Sequence, residues 1–194
     1  MRLAFDHFDA IAQHYDRLIR PRADDPLPGV LAAGPGDLVL DIGGGTGRIA
    51  QELAADGAHV IVCDSSSRMA RQARGKGLAA AVASVVRLPF PDDVAERVLV
   101  VDAFHHFVHP SAAQAQPVAA AELLRVLKPG GRLVVEEPDI RRSGVKLIAL
   151  MEKVLLMRSR FLTPEGLAAV FRAAGAQVIA VFDDSFSAQV VLTK

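Results

Sequence analysis

The chain has 194 residues, with 22 basic and 22 acidic side chains, one cysteine, no tryptophan and 51% hydrophobic residues. This composition excludes intrinsic disorder and allows one sizeable core, so a single domain over residues 1–194 is expected. Zero formal charge and a pI near 7.0 provide no basic face to neutralise phosphates, so the expected partner is a small molecule and not a nucleic acid.

The first twelve residues carry Arg2, Asp6 and Asp9 among their apolar positions and lack the apolar core of a secretory leader. Further on, Phe5, Phe8, Ile11, Ala12, Tyr15, Leu18 and Ile19 recur every three to four residues and stop before Pro21. That spacing predicts an amphipathic entry helix over residues 1–20. From Leu38 onward, short apolar runs alternate with longer helical stretches, the pattern of parallel strands covered on both faces by crossover helices. Strands are predicted at Leu38 to Ile42, His59 to Cys63, Ala79 to Ala83, Arg97 to Val101, Arg132 to Glu136, Gln177 to Phe182 and Phe186 to Leu192. Helices are predicted at Thr46 to Ala55, Ser66 to Arg74, Ser111 to Leu127, Gly144 to Arg158 and Pro164 to Ala173.

Ser111 with Gln114 reads as a capping box, and Thr163-Pro164-Glu165 as a helix start that Gly175 later closes. Only Asp183, Asp184 and Ser185 separate the last two strands, so these must run antiparallel. The longest apolar stretch, Lys146 to Met157, is interrupted by Glu152 and Lys153 and falls short of the ~20 residues of a membrane span. Cys63 stands alone, which excludes an internal disulfide and a multi-thiolate metal site. A cytoplasmic setting is the corresponding expectation.

The strongest signal is the run Leu38-Val39-Leu40-Asp41-Ile42-Gly43-Gly44-Gly45-Thr46-Gly47-Arg48. A buried strand enters glycines and then a helix, which lets the backbone turn tightly and approach a ligand at the carboxyl edge of the sheet. Asp64 ends the second strand, where a carboxylate can accept both hydroxyls of a ribose. The dinucleotide fingerprint fails because Arg48 occupies its last glycine position, and no triphosphate-binding G-x-x-x-x-G-K-[ST] exists. A nicotinamide-dependent reductase is therefore disfavoured. His105, His106 and His109 follow the fourth strand on the same sheet edge. His105 and His109 have i, i+4 spacing, but without a His-Glu-x-x-His pattern or a cysteine cluster no metal site is expected. An imidazole there has a suitable ordinary pKa for a general base.

The spacing D-x-G-x-G-x-G over Asp41 to Gly47 resembles the class I S-adenosylmethionine-dependent methyltransferases. Asp64-Ser65 with Met69, Leu88-Pro89-Phe90-Pro91-Asp92 and Leu127-Lys128-Pro129-Gly130-Gly131 are similar to further motifs of that family. Phe8-Asp9, Ala12 and Tyr15-Asp16 resemble the entry helix of its subgroup that includes the ubiquinone and menaquinone biosynthesis enzymes. Two departures stand out. Ser84 replaces the aspartate that the subgroup offers to the adenine, and Glu136 and Asp139 break the subgroup's pattern after the fifth strand.

The resemblance implies a Rossmann-like α/β fold whose seven-stranded sheet has the order 3-2-1-4-5-7-6, with the last strand antiparallel. It implies S-adenosylmethionine as cofactor and methyl transfer to a small-molecule acceptor by in-line displacement. Asp41, Gly43, Gly44, Gly45 and Gly47 would hold the methionyl end, with the Tyr15 hydroxyl reaching its carboxylate or the acceptor. Asp64 and Ser65 would hold the ribose, and Met69, Ser84 and Val85 the adenine. His106 and His105 are the candidate acceptor contacts. The alternative is a protein that binds the cofactor or its demethylated product without turnover, as a sensor or partner.

Overall fold

The computed structural model describes residues 12, 26–108, 111–155, 159–183 and 186–194. The predicted entry helix, Tyr15 included, lies outside them apart from Ala12. His109 and Arg158 also lie outside them.

The described elements are α1 (Leu27–Leu31), β1 (Leu38–Ile42), α2 (Arg48–Ala55), β2 (His59–Asp64), α3 (Ser67–Gly75), β3 (Ala79–Val82), β4 (Ala95–Val101), a 3-10 turn (Phe104–His106), α4 (Ala112–Val126), β5 (Leu127–Pro138), α5 (Ser143–Val154), α6 (Pro164–Ala173), β6 (Gln177–Asp183) and β7 (Ser187–Thr193). They build one seven-stranded sheet in the order β3-β2-β1-β4-β5-β7-β6. The pairs from β3 across to β5 are parallel, and β7 runs antiparallel to both β5 and β6.

Period-two alternation along the central strands divides the core in two. Leu40, Ile42, Val98, Val100, Leu133, Val135, Val190 and Leu192 pack with Leu123 of α4 and Phe171 of α6. The intervening residues Val39, Leu99, Val134 and Val191 pack with Leu27 and Leu31 of α1 and Ile49 and Leu53 of α2. Each strand thus supplies both helical layers, which is why these strands read as continuous apolar runs.

Several element ends shift by one or two residues from the sequence expectation, and three local differences have an identifiable cause. First, α2 begins at Arg48 and not Thr46, because Gly47 at its N-cap has φ 73°. Second, the Ser111 side chain makes no capping bond to the backbone at the start of α4; its hydroxyl donates instead to Gln114 Oε1 at 3.2 Å. Third, α4 ends at Val126 and β5 begins at Leu127. Leu127 pairs with Ala95 and Arg132 with Arg97, so the Lys128-Pro129-Gly130-Gly131 segment is an excursion inside the strand and not a turn before it. Thr163 does cap α6, accepting from Gly166 N at 3.1 Å. No helix among the described residues is long and apolar enough to cross a membrane.

Candidate active site

The parallel strands bring the ends of β1, β2 and β4 to one edge of the sheet. The glycine turn leaves β1 there, pinned by Gly43 N donating to the Cys63 carbonyl at 2.7 Å. Gly43 has φ 76°, and a Cβ at this position would stand 2.4 Å from Cβ of Ala103. Only glycine meets both conditions. At Gly47 a Cβ would stand 2.4 Å from Leu78 Cδ1, so this glycine serves the seating of α2 against the sheet.

Asp64 ties the glycine turn to the start of α3. Its Oδ2 accepts from Gly45 N at 3.0 Å and its Oδ1 from Ser66 N at 2.8 Å. Ser66 in turn caps α3, its hydroxyl accepting from Met69 N at 3.1 Å. The carboxylate is therefore held rigidly at the rim.

These elements enclose a cleft of about 220 Å³. Gly43, Gly45, Asp64, Ser65, Met69, Ser84, Val85 and His106 line it, together with Cys63, Val86, Asp102, Ala103, Phe107 and Val108. Asp41 and Gly44 line a smaller adjoining pocket with Thr46, Arg48 and Asp102. Gly47 and His105 line neither. Of the predicted positions, these two are placed behind the site and not at its surface.

Asp41 is buried, and its Oδ2 has no hydrogen-bond partner among the described residues. Burial, reinforced by the charge of Asp64 and opposed by Arg48, pushes its pKa up to about 7. A carboxylate in this condition is stable only when protonated or faced by a cation. S-adenosylmethionine carries a sulfonium and an ammonium, so the donor set fits that cofactor.

Asp102 was not expected at the site. Its φ of 50° is uncommon for a residue with a side chain, and it is held there by its N–H donating to the Glu136 carbonyl at 3.0 Å. The residue as a whole reaches solvent at the cleft surface, but desolvation of its carboxyl group, then the charges of Glu137 and Glu136, raise its pKa to about 6 against His105 and Arg48.

Glu137, also unforeseen, organises the wall beyond β4. Its Oε1 accepts from Ala103 N at 2.9 Å and Phe104 N at 2.7 Å, and its Oε2 from His105 N at 3.1 Å. Oε2 also meets His105 Nδ1 at 2.6 Å. One carboxylate thus satisfies the amides that start the 3-10 turn and fixes an imidazole. The His105 ring stacks on Phe161 with centroids 4.2 Å apart. Burial works most strongly against its charge, yet Glu137, with Glu152 and Asp102 beyond, carries its pKa above the ordinary value. His106 is pushed down to about 3 by burial and then by His105. It is a neutral wall of the cleft near pH 7, and a poor match for a general base.

Arg141 and Arg142 do not face the cleft; both bind the fully buried Asp139 and the more exposed Asp183. Arg160 is held by its N–H donating to the His105 carbonyl at 2.8 Å and by its guanidinium donating to Gln116 Oε1 at 3.3 Å.

The family model described as a methyltransferase domain matches residues 40–135. Demethylmenaquinone methyltransferase of Beutenbergia cavernae is 37% identical over 131 residues, covering 66% of this chain and 50% of that one. The Mycobacterium marinum protein of the same name is 34% identical over 159 residues, covering 78% and 65%. The chain thus spans between half and two thirds of the length of these relatives.

Among solved structures, the methyltransferase in complex with the Trm112 activator of Haloferax volcanii has a TM-score of 0.81 at 20% identity, covering 98% of each chain. The [4+2]-cyclase SpnF has a TM-score of 0.72 at 21% identity, covering 94% of this chain and 82% of that one. The strand order with its single reversed strand, the glycine turn and Asp64 define the Rossmann-like fold of S-adenosylmethionine enzymes. The chain belongs to the class I S-adenosylmethionine-dependent methyltransferases.

Proposed function

We propose that this chain transfers a methyl group from S-adenosylmethionine to a small acceptor seated beside His106 and Phe107. The observation that carries the reading is the Oδ2 of buried Asp41, which has no hydrogen-bond partner among the described residues, beside a glycine turn that Asp64 locks in place. A carboxylate buried in this way is stable only when protonated or faced by a cation, and a nucleoside carrying a sulfonium supplies the cation.

In this reading Asp41 and the turn from Gly43 to Gly45 hold the methionyl end, Asp64 and Ser65 the ribose, and Met69, Ser84 and Val85 the adenine. Bound S-adenosylmethionine supplies a methyl group already activated on sulfur, so the protein's share is alignment and exclusion of water. Phe107, Val108 and Ala103 give the acceptor end an apolar wall, and Glu137 keeps that wall fixed through the 3-10 turn. In-line approach to the methyl carbon follows if the acceptor rests on the His106 side while Asp64 and Asp41 anchor the opposite end.

Calorimetry with S-adenosylmethionine, its demethylated product and NAD tests the ligand class. Binding of the first two and not the third is expected, and failure of both would overturn the reading. Transfer of a labelled methyl group from the cofactor into a metabolite pool then distinguishes an enzyme from a sensor.

A further inference from the structure

The 3-10 turn after β4 sets the rings of His105 and His106 side by side, with centroids 4.0 Å apart, and α5 brings Glu152 against them. One ligand atom from each of His105, His106 and Glu152 lies within 4.8 Å of the other two. Small side-chain rotations reach the roughly 3.3 Å separations of a tetrahedral ion with bonds of about 2 Å. Glu152 Oε2 is shut off from solvent and has no hydrogen-bond partner among the described residues. A carboxylate oxygen in that position calls for a positive charge or a donor.

His105 is already prepared to be a ligand. Its Nδ1 meets the Glu137 carboxylate at 2.6 Å, and a carboxylate accepts, so Nδ1 carries the hydrogen and Nε2 is the nitrogen left for a metal. A carboxylate behind a histidine is the usual support of a metal-bound imidazole, fixing both its tautomer and its direction. Glu137 and Glu152 also place two negative charges around two imidazoles in a sparsely solvated corner, which a divalent cation balances.

We propose that His105, His106 and Glu152 bind a divalent transition-metal ion, zinc by donor chemistry, at the wall of the acceptor cleft. Two imidazoles and one carboxylate form a donor set that leaves a fourth position open on zinc, and imidazole selects zinc over magnesium and calcium. His106 lines the cleft, so an ion held there borders the acceptor space of the proposed function. Its role in turnover rests on the methyl-transfer reading, although the binding itself does not. An acceptor hydroxyl coordinated there loses its proton to solvent. The oxygen lone pair then forms the new O–CH₃ bond while the S–CH₃ bond breaks with its electron pair returning to sulfur. Glu137 acts through His105 and is a positioning residue.

The test uses the full chain, stripped by chelator and titrated with Co²⁺ while visible d–d absorption is recorded, followed by competition with Zn²⁺. One equivalent of cobalt with the intense bands of a four- or five-coordinate ion, displaced by one equivalent of zinc, is expected. Glu152→Gln and His106→Gln should each weaken binding by at least about 100-fold, the upper end of what altered outer support alone costs. Thermal melting of both variants checks that they fold. Absence of cobalt binding by the wild-type chain would overturn the proposal, as would binding that neither substitution weakens, which places the ion elsewhere. Calorimetry with S-adenosylmethionine on the same stripped sample separates the two claims: cofactor binding without metal binding sinks only this one.

Discussion

At the scale of single residues, Asp41 and Asp64 make opposite demands on a ligand. Asp64 is an acceptor for two backbone amides, and in the proposed function it contributes hydrogen bonds to the hydroxyls of the ribose. Asp64→Ala removes charge-assisted bonds worth about 1.5–3 kcal/mol each and also frees the glycine turn. The affinity for S-adenosylmethionine should fall at least about tenfold by calorimetry.

Asp41 acts through charge. With a pKa of about 7 it is mostly protonated at pH 6 and mostly ionised at pH 7.5, and a cationic ligand prefers the ionised form. Binding should therefore strengthen several-fold across that interval, with release of a proton that appears as buffer-dependent heat. Asp41→Asn should bind more weakly and lose that pH dependence; a variant with the wild-type profile would remove Asp41 from the cofactor's binding site.

At the scale of elements, side chains that resemble each other in sequence do different work. Thr163 and Ser111 both precede helices, but only Thr163 accepts from the backbone. Thr163→Ala should cost about 1 kcal/mol in chemical denaturation, and Ser111→Ala, at an exposed position without that bond, should leave the unfolding midpoint unchanged. Phe171 of α6 is fully buried and packs on Phe104 of the 3-10 turn with centroids 5.3 Å apart. Phe171→Ala should cost about 3–5 kcal/mol and should loosen the acceptor wall along with the core.

What could be read beforehand follows the same division. The glycine turn, Asp64 and the Thr163 cap are local devices whose partners lie a few residues away or at a fixed strand end, so their spacing discloses them. Glu137, Glu152 and Asp102 act on partners supplied by other strands and helices. Glu137 went unremarked between Glu136 and Asp139, the two residues read as a break in a family pattern, and Glu152 passed for an interruption of an apolar stretch. The excursion at Lys128 to Gly131 was misplaced because its pairing with β4 on both sides is a property of the sheet, not of the segment.

At the scale of the whole molecule, a chain with no net charge gathers Asp41, Glu136, Glu137 and Asp139 in buried positions near one edge of its sheet, with Asp102 beside them at the cleft surface, and this sets how stability depends on pH. The pKa values of Asp41 and Asp102 are raised above their unfolded values, so the native state holds protons that the unfolded state has lost. Their contribution to stability is greatest below about pH 4 and declines as pH rises through about 6 to 7. His105, also raised, loses its stabilising contribution in the same direction. His106, pushed down to about 3, works the other way, but its gain is essentially complete once pH exceeds the ordinary histidine value of about 6.5. Between pH 6.5 and 8 the ligand-free protein should therefore lose on the order of 1 kcal/mol, a decline of a few degrees in melting temperature at this size. S-adenosylmethionine at about 100 times its dissociation constant should add about 2.7 kcal/mol, roughly 5–10 °C. At a fixed cofactor concentration that increment should be larger at pH 7.5 than at pH 6, because the cation compensates the charge that burial penalises. Differential scanning fluorimetry of wild type and Asp41→Asn, with and without cofactor, reads both effects at once. A wild-type increment that does not grow with pH would mean that the buried carboxylate and the cofactor's positive charge do not meet.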